Sequence, residues 1–300
     1  MPLHPDSHLV HTLHAPAKIN LGLHVLRRRA DGFHAIDTVM LRVGWSDRLS
    51  AHYDDEGEGV TLTCSDPSLP TDGRNLVVRA AEAMRAWAEP HRYGHQRPRG
   101  VHFHLDKRVP HGAGLGGGSS DAATALRLLP LLGDYVGDPA PEDLHRIAAS
   151  VGSDVPFFLY PDVQRATGRG EVLAPLRYAD GRAYRFPFSI AIVMPDVAVP
   201  TAGAYGLVTP NDDARPDLAE MVRSNDLERW RRELVNDFQA PIAARHAEIR
   251  QVLDLMETHG AGYVAMTGSG AAVFGVFERP EDARAACEEA VAGALPAYWE

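Results

Sequence analysis

Cysteine is nearly absent from this chain: Cys64 and Cys287 are the only two among 300 residues. Two thiols so far apart make neither a disulfide framework nor a spaced set of metal ligands, so a reduced, cytoplasmic setting is expected. Long apolar runs are missing as well, and nothing approaches the ~18 consecutive residues that mark a membrane span. Met1 to Leu13 has neither the basic opening nor the apolar centre of an export signal. Positive charge is the scarcer sign, with 30 Lys and Arg against 40 Asp and Glu and a formal net charge of −10. A general nucleic-acid binder needs clustered cations against the phosphate backbone, so neither nucleic acid nor membrane is expected as a partner. Arg27-Arg28-Arg29 and Lys107-Arg108 are short basic patches. There is no internal repeat and no low-complexity tract.

What is present is the composition of a globular protein, 45% hydrophobic and 23% charged. The length predicts two domains, and the Pro-, Gly- and Arg-rich stretch over 161–187 puts a boundary near its start, giving 1–165 and 166–300. Alternation predicts strands at Ala17–Val25, Thr38–Val43, Val60–Thr63 and Val101–Leu105. In the last of these, His102 and His104 share a face, and no third ligand nearby completes a metal set. His4, His8, His11 and His14 have near-helical spacing in what reads as a frayed, solvated terminus. Helices are predicted over Asn75–Glu89, with Asn75 as N-cap, over Ser119–Leu132, Glu142–Ser150 and Ala244–Thr258, and over Pro280–Ala292, which opens on Pro and acidic residues. Ser189–Met194, Tyr263–Met266 and Ala272–Phe277 read as strands. Strands and helices do not alternate strictly, so the fold class is α+β rather than a doubly wound parallel sheet.

Residues 110–121 read Pro-His-Gly-Ala-Gly-Leu-Gly-Gly-Gly-Ser-Ser-Asp. Five glycines in seven positions (Gly112, Gly114, Gly116, Gly117 and Gly118) cost chain entropy, so some function must need bare backbone there. Such a loop can aim successive N–H groups at an anion, and the helix beginning at Ser119 adds unpaired N–H groups and the positive end of its dipole. Strand, glycine loop and helix start together make a phosphate cradle. It is not a Walker A loop, because Gly118 is followed by Ser119 and not by Lys. Gly112, Gly114 and Gly117 satisfy the dinucleotide fingerprint in letter only. Asp106 to Pro110 intervene after the strand, and the acidic residue at the right distance, Asp134, follows a helix.

The run Pro110-x-Gly112-x-Gly114-Leu115-Gly116-Gly117-Gly118-Ser119-Ser120 resembles the central motif of the GHMP kinases. Two more of that family's motifs stand in order: Ala15-Pro-Ala-Lys18-Ile-Asn20-Leu21, and Met266-Thr-Gly268-Ser269-Gly-Ala271. Arg29-Ala-Asp-Gly-Phe33-His34, the triple glycine and Gly152-Ser-Asp154-Val-Pro156 resemble a branch that uses ATP to phosphorylate a tertiary 2-hydroxyl on the non-mevalonate route to isoprenoid precursors. The acceptor of that branch is a small molecule with a cytidine diphosphate head group. The resemblance implies a two-domain GHMP kinase fold with the active site in the cleft between the domains. Its ATP-binding first domain would carry a left-handed β-α-β unit, a fold also found in ribosomal proteins. Its substrate-binding second domain would be ferredoxin-like.

The resemblance also carries residue roles. Asp154 is the implied base for the attacking hydroxyl, and Lys18 the partner that keeps it ionised and orients the hydroxyl or a γ-phosphate oxygen. Pro110 to Ser120 form the nucleotide loop. Ser119 and Ser120 can cap the following helix, meet phosphate or Mg²⁺, or do both. Mg²⁺ is expected with ATP, but its protein ligands are not assigned. Asn75 and Lys107 match positions on the adenine side, while Asn75 reads equally well as a cap. Phe33 and Tyr205 are the implied stacking faces for the cytosine, and His34 reads its edge. Phe33 stands where many relatives have Tyr, which keeps the stacking and loses a hydroxyl. Asn20, Thr201, Gly268 and Ser269 complete the substrate side, with Asn236-Asp237-Phe238 read as structural. Two alternatives stay open: a GHMP kinase for another alcohol, such as mevalonate or a sugar, and a non-catalytic nucleotide- or RNA-binding module.

Overall fold

The computed structural model describes residues 9–54, 57–89, 99–133 and 139–300. His4, His8 and Asp134 lie outside them. His11 and His14 do not sit on a frayed end: they belong to the first strand, β1 (His11–Arg28), extended toward the N-terminus by the inward-facing Leu13, Ala15 and Ala17. Their odd separation puts them on opposite faces of that strand.

Two compact units make up the described chain, each from three segments. The first comprises Met1–Ala17, Trp45–Val109 and Gly117–Pro161. In it the second half of β2 (His34–Asp54) pairs antiparallel with β4 (Gly100–Asp106), from Arg48↔Asp106 to Asp54↔Gly100. β3 (Val60–Cys64) pairs with β4 in parallel. Parallel neighbours need a crossover, and α1 (Leu76–Ala88) supplies it. Asn75 caps α1, its side chain accepting the N–H of Val77 at 2.9 Å. Against α1 lie α2 (Gly117–Leu131) and α3 (Pro141–Val151), followed by a 3-10 turn at Pro156–Leu159. α2 is buried nearly all round, and its run of Ala122, Ala123, Thr124 and Ala125 allows α1 close approach. Phe103, Leu49, Met84 and Leu126 fill this core, each fully buried side chain contributing roughly 1.5–3 kcal/mol.

The second unit comprises Lys18–Gly44, Pro110–Gly116 and Asp162–Glu300. The first half of β2 pairs with β5 (Gln164–Gly168), which pairs with β6 (Val172–Pro175); both strands come from the Pro- and Gly-rich stretch that composition alone left unassigned. After β7 (Ser189–Val193) come four short helices: α4 (Thr201–Tyr205), α5 (Leu218–Ser224), α6 (Leu227–Glu233) and α7 (Gln239–Ala243). Then follow α8 (Ala247–Thr258), β8 (Tyr263–Met266), β9 (Val273–Phe277), α9 (Pro280–Ala292) and β10 (Ala297–Trp299). The four strands lie in the order β10-β7-β9-β8, all antiparallel, with α8 and α9 against them. This is the β-α-β-β-α-β plan of ferredoxin-like domains. The single helix expected over Ala244–Thr258 starts later, because His246 is extended (φ −125°, ψ 106°). The apolar stripe Ile242, Ile249, Val252, Met256 keeps helical spacing across that break, so periodicity does not register it.

Candidate active site

From Lys18 to Val25 β1 is buried on both faces. One face carries Ile19, Leu21, Leu23 and Val25; the other carries Lys18, Asn20 and His24, whose polar atoms must then find partners inside the protein. Lys18 Nζ donates to Asn20 Oδ1 and to the carbonyl of Gly114, each at 2.7 Å. Asn20 Nδ2 donates to Thr38 Oγ1 at 3.0 Å, and the Thr38 hydroxyl in turn donates to the carbonyl of Gly22 at 2.6 Å. The N–H of Asn20 donates to Thr267 Oγ1 at 3.1 Å, while that hydroxyl lies 3.3 Å from both Asn20 Oδ1 and the Gly114 carbonyl. Three segments far apart in sequence, Lys18 and Asn20, Gly114, and Thr267, thus share one hydrogen-bonded knot within the second unit.

The loop residues 110–116 are stitched at both sides. Lys18 N–H donates to the Leu115 carbonyl at 2.9 Å and Ala272 N–H to the Ala113 carbonyl at 3.1 Å. Gly112, Gly114 and Gly116 have φ of 69°, 77° and 71°, left-handed at every second position. At Gly114 a Cβ would also sit 2.1 Å from the Thr267 carbonyl oxygen. Gly268 (φ 56°) backs onto it, with its own hypothetical Cβ 3.2 Å from Gly114 Cα. Asn236, buried, holds this second turn by donating to the carbonyls of Met266 and Gly268 at 2.6 and 2.9 Å, a structural role.

The first unit takes the chain from Gly117 onward. Gly118 and Ser119 open α2 on its more exposed side, while Ser120 Oγ is buried and has no hydrogen-bond partner. Lys107 Nζ is buried between two carboxylates, ion-paired with Asp47 and 3.1 Å from Asp121 Oδ2. Burial lowers the lysine's affinity for its proton, and the two carboxylates more than reverse that, so its pKa is raised. Asp121 is pushed up to about 8, first by burial and then by the nearby Asp47 charge, with Lys107 pulling the other way. Sequence reading missed both acids. Asp47 sits in an unremarkable strand, and only the position of Asp121 beside Ser119-Ser120 hinted at it. Asn75 spends its carboxamide on the backbone, accepting from Val77 and donating to the Pro70 carbonyl at 2.8 Å. Asp154 stands half-buried in the turn between α3 and the 3-10 segment. It belongs to the first unit and Lys18 to the second.

Phe33, His34 and Tyr205, and the polar Asn20, Thr201, Gly268 and Ser269, all belong to the second unit. His34 and Tyr205 stack with centroids 4.7 Å apart and planes 16° apart. Tyr205 also meets Phe238 edge-on. Phe33 is 53% exposed and so is not core; the Arg169 guanidinium lies 5.0 Å from its ring centroid, and no sequence signal marked that arginine. Thr201 and Ser269 hydroxyls lie 3.1 Å apart. His102 and His104 do share a face, and their ring nitrogens bond Thr61 and Thr63 on β3.

Sequence profiles for the GHMP kinases N terminal domain and the GHMP kinases C terminal match residues 75–162 and 214–294. The chain belongs to the GHMP kinase family. Within it, a 4-diphosphocytidyl-2-C-methyl-D-erythritol kinase of Salinibacter ruber is 48% identical over 275 residues, 91% of this chain and 92% of that relative. A second such kinase, of Chloroherpeton thalassium, is 38% identical over 291 residues, 95% of each chain. The crystal structure of a 4-(cytidine 5'-diphospho)-2C-methyl-D-erythritol kinase superposes with a TM-score of 0.75 at 34% identity, over 96% of this chain and 98% of that one. A mevalonate kinase at 10% identity and a TM-score of 0.68 shares the fold alone.

Proposed function

We propose that the chain transfers the γ-phosphoryl group of ATP to the 2-hydroxyl of 4-diphosphocytidyl-2-C-methyl-D-erythritol, giving the 2-phosphate and ADP. This is a step of the non-mevalonate (methylerythritol phosphate) pathway of isoprenoid precursor synthesis. The observation that carries the reading is the knot in which Lys18, Asn20, Gly114 and Thr267 meet, because it joins the three family motifs by direct hydrogen bonds. Phosphoryl transfer demands little covalent work of a protein; it demands placement and charge. Backbone N–H groups of Gly112 to Gly118 and the start of α2 hold the phosphates. Lys18 offers positive charge to the transferring group, and its other bonds fix its direction. Asp154 accepts the proton of the attacking hydroxyl. Phe33, His34 and Tyr205 receive the cytosine; Asn20, Thr201, Gly268 and Ser269 orient the polar remainder.

Mg²⁺ would neutralise charge on the ATP phosphates. The orphaned, buried hydroxyl of Ser120 is an oxygen of the hard kind this cation takes, so the chain fits it, and Ser119 and Ser120 are the residues assigned to it. ATP binding is assigned to residues within 1–165 and most of the substrate side to 166–300, in the cytoplasm. The aromatic pair and exposed Phe33 favour an acceptor with a flat base over mevalonate or a simple sugar. Steady-state ADP release with the cytidyl acceptor, mevalonate and galactose tests the assignment. Turnover is expected with the first alone; activity confined to mevalonate or galactose would overturn it, and no turnover with any acceptor would leave a binding module.

A further inference from the structure

Asp47, Lys107 and Asp121 put three ionisable groups in one buried place, with side chains 0%, 5% and 2% exposed. Such a cluster is a poor source of stability, because the desolvation of the charges offsets most of their attraction. Its position is more informative. Lys107 leads out of β4 toward the glycine loop, and Asp121 lies just past the first turn of α2, where the loop ends. Asp47 Oδ1 accepts the N–H groups of Arg108 at 2.6 Å and Val109 at 2.8 Å, while its other oxygen pairs with Lys107. Lys107 then reaches Asp121 Oδ2 at 3.1 Å. Gly117 leaves the room for this: a Cβ there would lie 2.9 Å from Lys107 Nζ. The remaining oxygen of Asp121 is buried and unpartnered.

We propose that Asp47, Lys107 and Asp121 form a clasp across the neck of the phosphate loop, tying the strand that enters it to the helix that leaves it. On this view Lys107 and the two acids are positioning residues. They act on ATP through the backbone they hold and do not touch it. The inference rests on the assignment of the loop to ATP phosphates.

Removing Asp121 separates this from simple electrostatics by sign. Removing a carboxyl group near a polyanion, whether ionised or protonated, should leave nucleotide binding unchanged or tighter if charge is all that matters. The clasp requires the opposite: Asp121→Ala weakens binding of a non-hydrolysable ATP analogue about tenfold and raises the KM for ATP alike, with the KM for the acceptor unchanged. Asp121→Asn keeps an oxygen to accept from Lys107 and is expected to restore near-native affinity. Unchanged or tighter binding in Asp121→Ala, or a parallel rise in both KM values, would overturn the clasp. Should that variant not fold, the volume-conserving pair Lys107→Met with Asp121→Asn replaces it, with the same expected loss and the same contrary outcomes. Failure of the underlying assignment looks different, because the unaltered protein would then not bind the analogue at all.

Discussion

A strand buried on both faces must satisfy its polar side chains internally or leave them out, and β1 keeps Lys18 and Asn20 by surrounding them with carbonyls and hydroxyls of other segments. The first unit does the same with charge at Asp47, Lys107 and Asp121. For Asp121 the consequence is a dependence on pH that can be signed. Its folded pKa, about 8, lies above the ordinary 3.8, so the folded state holds the proton more tightly than the unfolded chain. Such a group contributes stability fully below the unfolded pKa, and that contribution is lost as pH rises through the folded pKa. Asp121→Asn does not titrate, so its thermal midpoint should gain on that of the unaltered protein between about pH 4 and pH 8 and run parallel above. Thermal melts across that window check this; curves parallel throughout would mean that Asp121 is ionised in the fold.

At the scale of elements, the glycine turns show which features local chemistry makes legible. Glycines ahead of a helix announce a loop of bare backbone, which the structure has at Gly112, Gly114 and Gly116, while Gly117 and Gly118 already belong to α2; Asn75 ahead of an Ala-rich run announces a cap, which the structure also has. The break at His246 and the short helices α4 to α7 were not legible. A stripe that keeps its period across a kink looks continuous, and helices of five to seven residues carry too few turns to show a period. Nor could spacing reveal why two glycines of one loop need glycine for different reasons. Gly112 has open space where a Cβ would go and only a left-handed φ, whereas Gly114 has both that φ and the Thr267 carbonyl at 2.1 Å. Gly112→Ala should therefore cost about 1–2 kcal/mol, the usual penalty of that conformation. Gly114→Ala should cost clearly more, since the second turn must move. Equal losses in denaturant titrations would mean that the two turns are not packed on each other.

At the scale of the molecule, the site was legible as separate pieces. Each motif has its own local reason, and their order along the chain carried the family resemblance. Their assembly was not readable from spacing, because the bonds that join Lys18 to Gly114 and Asn20 to Thr267 span 96 and 247 positions. The acids Asp47 and Asp121 were invisible for the same reason, being paired with Lys107 from 60 and 14 residues away. Arg169 is a surface arginine until β5 sets its guanidinium near Phe33.

The most direct measurement of the assigned reaction is proton-coupled phosphorus NMR of the product formed from ATP and the cytidyl acceptor. The carbon bearing the 2-hydroxyl carries a methyl group and no hydrogen, so transfer to that oxygen should give a new phosphomonoester signal unsplit by any neighbouring proton. A new signal split by carbon-bound hydrogens would place the phosphate on a primary or secondary hydroxyl, and no new signal would mean no transfer to this acceptor; either result contradicts the account.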